Sequence, residues 1–283
     1  MSTAADDATG RPEPEVVVLD DADALAGHVA GLLLAQVAAS LDERPAPAPV
    51  HVVLTGGRVG GKTLEAVAAA AADGEAAGLD WGRVHLWFGD ERFLPSGDDE
   101  RNDVLAEGAL LTAPALHGAR WHRFPAPVDG AGSPADQAGQ AAARYAADLS
   151  AAADDLGEGG TTGTAGVPAF DVLMLGVGPD GHVASLFPGS STLGERGVPV
   201  VVETDAPKPP PLRLSLGVDA VRAAARVWLV VAGEDKAQAV ARGLDPAEDA
   251  ARTPAVLARG RLATTWLVDR AAASRLTGAS VEG

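Results

Sequence analysis

The chain of 283 residues contains no cysteine. That excludes a disulfide framework, a thiolate nucleophile and any cysteine-based zinc site. Cations are scarce: 22 Lys and Arg stand against 39 Asp and Glu, for a formal net charge of -17. Nucleic acids and anionic membrane surfaces are recognised through a basic footprint, so neither is an expected partner. No apolar run is read as membrane-spanning, and the start MSTAADDATGRPEPE is acidic and lacks the apolar centre of a signal peptide. The expected location is the cytoplasm. A G-x-S-x-G nucleophile elbow is also missing, and the six histidines show no H-E-x-x-H or comparable ligand spacing. Neither a metal nor another cofactor is expected. His28 and His51 fall in helix or strand contexts and read as structural; His117 and His122 flank a turn and read as solvent-facing.

What is present is apolar residue in quantity, 47% of the chain, enough to bury a core of ordinary density. Residues 1–15 read as a disordered tail and 16–283 as one α/β domain. Helical patterns cover Asp21 to Leu41, Lys62 to Ala77, Asn102 to Leu111, Pro134 to Leu149, Asp219 to Ala225 and Lys236 to Arg242. Strand patterns cover Val50 to Leu54, Arg83 to Phe88, Arg120 to Phe124, Asp171 to Leu175, Pro199 to Glu203, Arg213 to Leu216, Val227 to Val231 and Leu262 to Val268. Strands alternating with helices predict βαβ units and an open, mostly parallel Rossmann-like sheet with helices on both faces. Residues 157–168, GEGGTTGTAGVP, read as a mobile low-complexity loop without assignable chemistry.

The densest signal is FDVLMLGVGPDGHVASLFPGS, Phe170 to Ser190. A continuous apolar run predicts a strand covered on both faces, and Gly176, Gly178, Pro179 and Gly181 supply the reversal that follows it. In open α/β sheets ligands bind beyond the carboxyl ends of the strands. A histidine there can serve as a general base, with Asp180 near enough to orient or charge-stabilise His182. A loop histidine that only bonds a carbonyl has the same local sequence. A second glycine loop, GGRVGGKT at Gly56 to Thr63, fits the phosphate-cradling pattern G-x-x-x-x-G-K-[ST] between a strand and a helix. On that reading Lys62 reaches the outer phosphates of a nucleotide and Thr63 holds magnesium.

GVGPDGHVASLFPG resembles the most distinctive block of the 6-phosphogluconolactonase family, part of the glucosamine-6-phosphate isomerase/6-phosphogluconolactonase superfamily. Other blocks are similar to the same family: LTGG at Leu54 to Gly57, VHLWFGDERFLPSGDDERN at Val84 to Asn102, TDAPKPPPLRLSL at Thr204 to Leu216 and TTWLVDRAA at Thr264 to Ala272. Together they cover about residues 16 to 275. The chain departs from the family where Arg58 and Val59 replace small polar residues after the two glycines.

The resemblance implies the sheet of the sugar-phosphate isomerase/lactonase type and hydrolysis of 6-phospho-D-glucono-1,5-lactone, a step of the oxidative pentose phosphate pathway. It implies a small phosphorylated sugar lactone as partner, with the chain a monomer or small homo-oligomer. His182 would activate water, Arg92 or loop N–H groups would meet the oxyanion, and Asp180 and Asp90 would orient the histidine, the arginine or sugar hydroxyls. Gly56, Gly57, Arg58, Lys208 and Arg213 would hold the 6-phosphate, with Asn102 and Gly178 in the same pocket. Alternatives with other outcomes are a sugar-6-phosphate deaminase or isomerase of the same fold, and a P-loop nucleotide-binding enzyme.

Overall fold

A computed structural model describes residues 10–154 and 166–276. Seven parallel strands form the main sheet in the order β1-β10-β9-β6-β2-β3-β5. They are β1 (Glu15–Leu19), β2 (Val50–Leu54), β3 (Val84–Phe88), β5 (Arg120–Trp121), β6 (Val172–Leu175), β9 (Arg226–Val231) and β10 (Ala263–Asp269). Every residue of β2 and β6 is buried, as required of interior strands covered on both faces. A second, antiparallel sheet has the order β4-β8-β7, with β4 (Asp90–Arg92), β7 (Val200–Glu203) and β8 (Arg213–Leu216). The two sheets are joined where Leu216 N donates to Gly89 O at 2.8 Å, just after β3.

Helices α1 (Ala22–Glu43), α2 (Gly57–Ala72), α3 (Asn102–Leu110), α4 (Pro134–Asp154), α5 (Val218–Ala223) and α6 (Ala237–Gly243) pack around these sheets. Asp21 caps α1, its carboxylate accepting from Asp23 N and Ala24 N at 3.0 and 2.9 Å. Leu25, Val29, Leu33 and Val37, spaced by four, form the buried stripe of α1. Burying such side chains contributes about 1.5–3 kcal/mol each before the entropy of ordering them is counted. By length and composition α1 is also apolar enough to cross a membrane, which corrects the expectation that no run reaches that length. Here the helix packs against α2, β1 and β10.

Several of the chain's few aromatics cluster around β3. Trp87 stacks on His122 and Tyr145 on Phe124, each pair with ring centroids 3.7 Å apart, and Tyr145 Oη accepts from Phe88 N at 2.9 Å. His122 is therefore not solvent-facing: its ring is stacked, its Nε2 lies 3.0 Å from His85 Nδ1, and burial lowers its pKa to about 4. His51 accepts from Trp87 Nε1 at 3.1 Å, but its buried Nε2 has no hydrogen-bond partner, so the expectation of a satisfied core histidine holds for one nitrogen only. His117 is exposed, as expected. Asp171 ties the start of β6 to β2: it accepts from His51 N at 2.8 Å and pairs with Arg44.

Of the expected tail, residues 1–9 lie outside the described residues. Beyond them Arg11 donates to Arg259 O at 2.5 Å, Arg259 donates to Pro12 O at 2.7 Å, and β1 begins at Glu15. Residues 157–165 of the expected mobile loop also lie outside the described residues; at its end, Val167 is buried.

Candidate functional site

The order of the main sheet reverses between β2 and β6: connections after β2 run toward β3 and β5, those after β6 toward β9 and β10. Glycine loops leave both strands at this switch point, and a crevice opens beyond their carboxyl ends. Gly176 N donates to Thr55 Oγ1 at 2.9 Å and holds the two loops together. The resulting cavity has a volume of about 460 Å³. Gly56, Gly57 and Arg58 enter it after β2, and Gly178 and His182 after β6. Asp90, Arg92 and Asn102 arrive from β4 and the start of α3, Lys208 and Arg213 from β8 and the loop before it. Asp180 is the one expected site residue that does not line the cavity; it stands behind His182.

His182 Nδ1 lies 2.5 Å from Asp180 Oδ1. Burial works against the Asp180 charge, but the hydrogen bond and charge of His182 outweigh it and lower its pKa to about 2. An ionised carboxylate can only accept, so Nδ1 carries the proton and Nε2 is left as the basic nitrogen. The turn that makes this pair is closed by Gly178 N donating to His182 O and Gly181 N to Gly178 O, each at 2.9 Å. Gly181 has φ +95°, open to glycine at little cost. Arg242 supports the turn from α6, donating to Asp180 O at 2.9 Å.

Gly178 is required for a different reason, close approach. A Cβ there would stand 2.1 Å from both His182 Cε1 and Nδ1 and 2.5 Å from Asp180 Oδ1. Gly178→Ala is therefore expected to displace the pair and lower kcat at least about tenfold, because small misplacements of reacting groups are costly. Steady-state kinetics beside a melting curve checks this: a folded variant with the wild-type kcat would contradict it.

Arg92 is held by Asn102 Oδ1 at 2.6 Å and Glu100 O at 2.9 Å. Asn102 Nδ2 donates to Asp90 O at 2.9 Å and Oδ1 at 3.2 Å, and Ser185 Oγ donates to Asp90 Oδ2 at 2.6 Å. The two aspartates thus have different partners, Asp180 the histidine and Asp90 the Asn102 amide that also accepts from Arg92. Asn102 leaves no space for a side chain at position 56, where a Cβ would fall 2.0 Å from its Oδ1. Beneath this layer Glu91 accepts from Asn102 N and Asp103 N at 2.7 and 3.0 Å and so caps α3. Burial raises the Glu91 pKa to about 7 against the pull of Arg101 and these N–H groups.

Arg213 is buried and clamps the proline segment, donating to Pro210 O and Lys208 O at 3.1 and 3.0 Å. Desolvation lowers its pKa. Two further cations reach the cavity: Lys62, paired with exposed Asp23, and Lys236, 3.1 Å from Asp235. Lys236 was absent from the sequence expectation, although a lysine just past Gly233 at the carboxyl end of β9 was the available signal. The loop N–H groups of Gly176 and Gly178 are already bonded within the protein, which leaves Arg92 as the better placed oxyanion partner. Among the described residues, no group of three or more His, Asp or Glu is placed to hold a metal ion.

The nucleotide reading of GGRVGGKT fails on geometry. α2 begins at Gly57, so from Gly60 onward the backbone N–H groups bond within the helix and form no cradle. Thr63 is buried and its hydroxyl donates to Val59 O at 2.9 Å, away from any site for magnesium. Gly60 is needed for packing, since a Cβ there would lie 2.7 Å from Thr55 O.

A profile of the family described as glucosamine-6-phosphate isomerases/6-phosphogluconolactonase matches residues 20–266. A 6-phosphogluconolactonase of Streptomyces coelicolor is 44% identical over 263 residues, covering 93% of this chain and 95% of the relative. One of Mycobacterium tuberculosis is 36% identical over 261 residues, covering 92% and 98%. Among solved structures, a 6-phosphogluconolactonase from Trypanosoma brucei matches with a TM-score of 0.75 at 25% identity, covering 94% of this chain and 99% of that one.

Proposed function

Because the chain belongs to the glucosamine-6-phosphate isomerase/6-phosphogluconolactonase family, we propose that it hydrolyses 6-phospho-D-glucono-1,5-lactone to 6-phospho-D-gluconate. The observation that carries this reading is the Asp180–His182 pair set at the mouth of a cavity rich in cations. In an acidic chain, cations gathered at one cavity favour an anionic substrate there.

In this mechanism His182 Nε2 takes a proton from a water molecule, whose oxygen attacks the lactone carbonyl carbon. Arg92 stabilises the negative charge that develops on the carbonyl oxygen. When the tetrahedral intermediate collapses, the bond from that carbon to the ring oxygen breaks and His182 returns the proton to the leaving oxygen. Asp180 keeps the imidazole in the required tautomer and offsets its charge in the cationic state. Gly56 and Gly57, at the unsatisfied N-terminus of α2, hold the 6-phosphate together with Arg58, Lys208 and Arg213. Asn102 positions Arg92.

Residues 16–283 are taken as one domain, a monomer or small homo-oligomer, acting in the cytoplasm on a free metabolite without membrane or nucleic acid. The test is lactone hydrolysis above the spontaneous rate in the presence of EDTA, beside calorimetric titration with ATP and magnesium. Turnover without nucleotide binding is the expected result; nucleotide binding that is lost in Lys62→Ala would reverse it.

A further inference from the structure

Asp90 and Arg92 belong to the small sheet, whereas His182 belongs to a loop of the main sheet, yet one chain of hydrogen bonds connects the two sides. It starts at Ser185, a fully buried residue three positions after the histidine. Ser185 Oγ donates to Asp90 Oδ2 at 2.6 Å, Asn102 Nδ2 donates to Asp90 Oδ1 at 3.2 Å, and Arg92 Nη1 donates to Asn102 Oδ1 at 2.6 Å. Every link has a donor facing an acceptor, so the orientation of the Asn102 amide follows from its neighbours. The backbone is bent to make the first link. Among the described residues Ala184 is the one non-glycine with a positive φ, 50°, an unfavourable conformation kept only where the surroundings impose it. Ser185 N is fixed as well, donating to Ser215 Oγ of β8 at 3.2 Å.

We propose that Ser185 is a positioning residue for the reaction: through Asp90 and Asn102 it sets the guanidinium of Arg92, so that the loop presenting the base also fixes the group that meets the oxyanion. The proposal rests on the lactonase reading for the role of Arg92. With Ser185 removed, the Asp90 carboxylate loses the donor that fixes its rotamer. Asn102 Nδ2 keeps its 2.9 Å bond to Asp90 O but loses a fixed carboxylate beside it, and Arg92, still bonded to Glu100 O, meets a less firmly held Asn102 Oδ1. Substrate binding through the phosphate cations is untouched.

Ser185→Ala is expected to lower kcat on the phosphorylated lactone by about tenfold to hundredfold, the scale of a small misplacement, with KM changed less than about twofold. A structural defect alone would not produce the second expected result: on an Arg92→Lys background, Ser185→Ala adds less than about twofold, because the residue it acts through is already altered. A wild-type kcat in folded Ser185→Ala overturns the proposal, and so does a full multiplicative effect on the Arg92→Lys background. If Ser185→Ala does not fold, Asp90→Asn breaks the same chain with its shape kept, and the same cycle with Arg92→Lys is read. His182→Ala is measured alongside: undiminished activity there sinks the base assignment, while the Ser185–Arg92 cycle is scored independently of it.

Discussion

Replacing His182 by alanine is expected to lower kcat for lactone hydrolysis by about 10²- to 10⁴-fold, the usual contribution of a positioned general base. Two features make the effect large. Asp180 does not line the cavity, so it is not placed to replace the histidine beside a substrate bound there. No cysteine exists to provide a covalent route. KM should change little, since the phosphate cations lie on other elements. The Asp180 pKa of about 2 keeps its carboxylate charged, so a neutral His182 imidazole holds its proton on Nδ1 and presents Nε2. Rates of wild type and variant, each corrected for spontaneous hydrolysis, decide the matter; a residual rate within threefold of wild type would exclude His182 as the base.

The largest expected loss of stability is at Arg101. Its side chain is 1% exposed and donates to Asp103 at 2.9 and 3.0 Å, to Leu94 O at 3.0 Å and to Phe124 O at 2.8 Å. Glu91 Oε2 lies 3.7 Å away. Arg101→Leu leaves two buried carboxylates without their cation, for which about 3–5 kcal/mol is expected. Urea denaturation with an unchanged m value checks this, and a loss under about 1 kcal/mol would refute it. The pH dependence adds a sign. Glu91 has a folded pKa raised from 4.5 to about 7, so between those values the folded state binds more protons and gains stability as pH falls. Removing Arg101 takes away an influence that lowers the Glu91 pKa, so the deficit of the variant should shrink on acidification toward pH 5. Losing stability faster than wild type across that window would contradict the assignment.

Much of the main sheet was legible because its strands are continuous apolar runs ended by glycine. Val50–Leu54 falls where the pattern put it, as does Arg213–Leu216 of the small sheet. β1 escaped because its residues EVVVL follow a stretch rich in acid and proline and are only partly covered at the sheet edge. β4 escaped because three charged residues carry no strand periodicity; they are held in the ladder by β8, far along the chain. The glycines of GGRVGG argue against helix and put the expected start of α2 at Lys62, whereas the helix begins at Gly57 and close packing on Thr55 requires glycine at position 60 inside it.

In the site, residues clustered in one local motif were recoverable, and His182 with Asp180 is the clear case. The different partners of the two aspartates were not, since Asp90 bonds Ser185, 95 residues away. Glu91 and Arg101 were passed over for the same reason: their importance lies in burial, which a charged pair in a surface-like string does not announce.

The placement of His182 and part of the cation set on separate sheets has a consequence for change over time. A loop of the main sheet carries His182 and Asp180, while the small antiparallel sheet carries Arg92 and Arg213 and the proline segment with Lys208. Substitutions at Arg92, Arg213 or Lys208 can therefore change how a phosphorylated ring is held without replacing any group bonded to the imidazole. Drift that reaches Asp90 or Ser215 crosses from one unit to the other, because both bond Ser185 of the loop that carries the histidine.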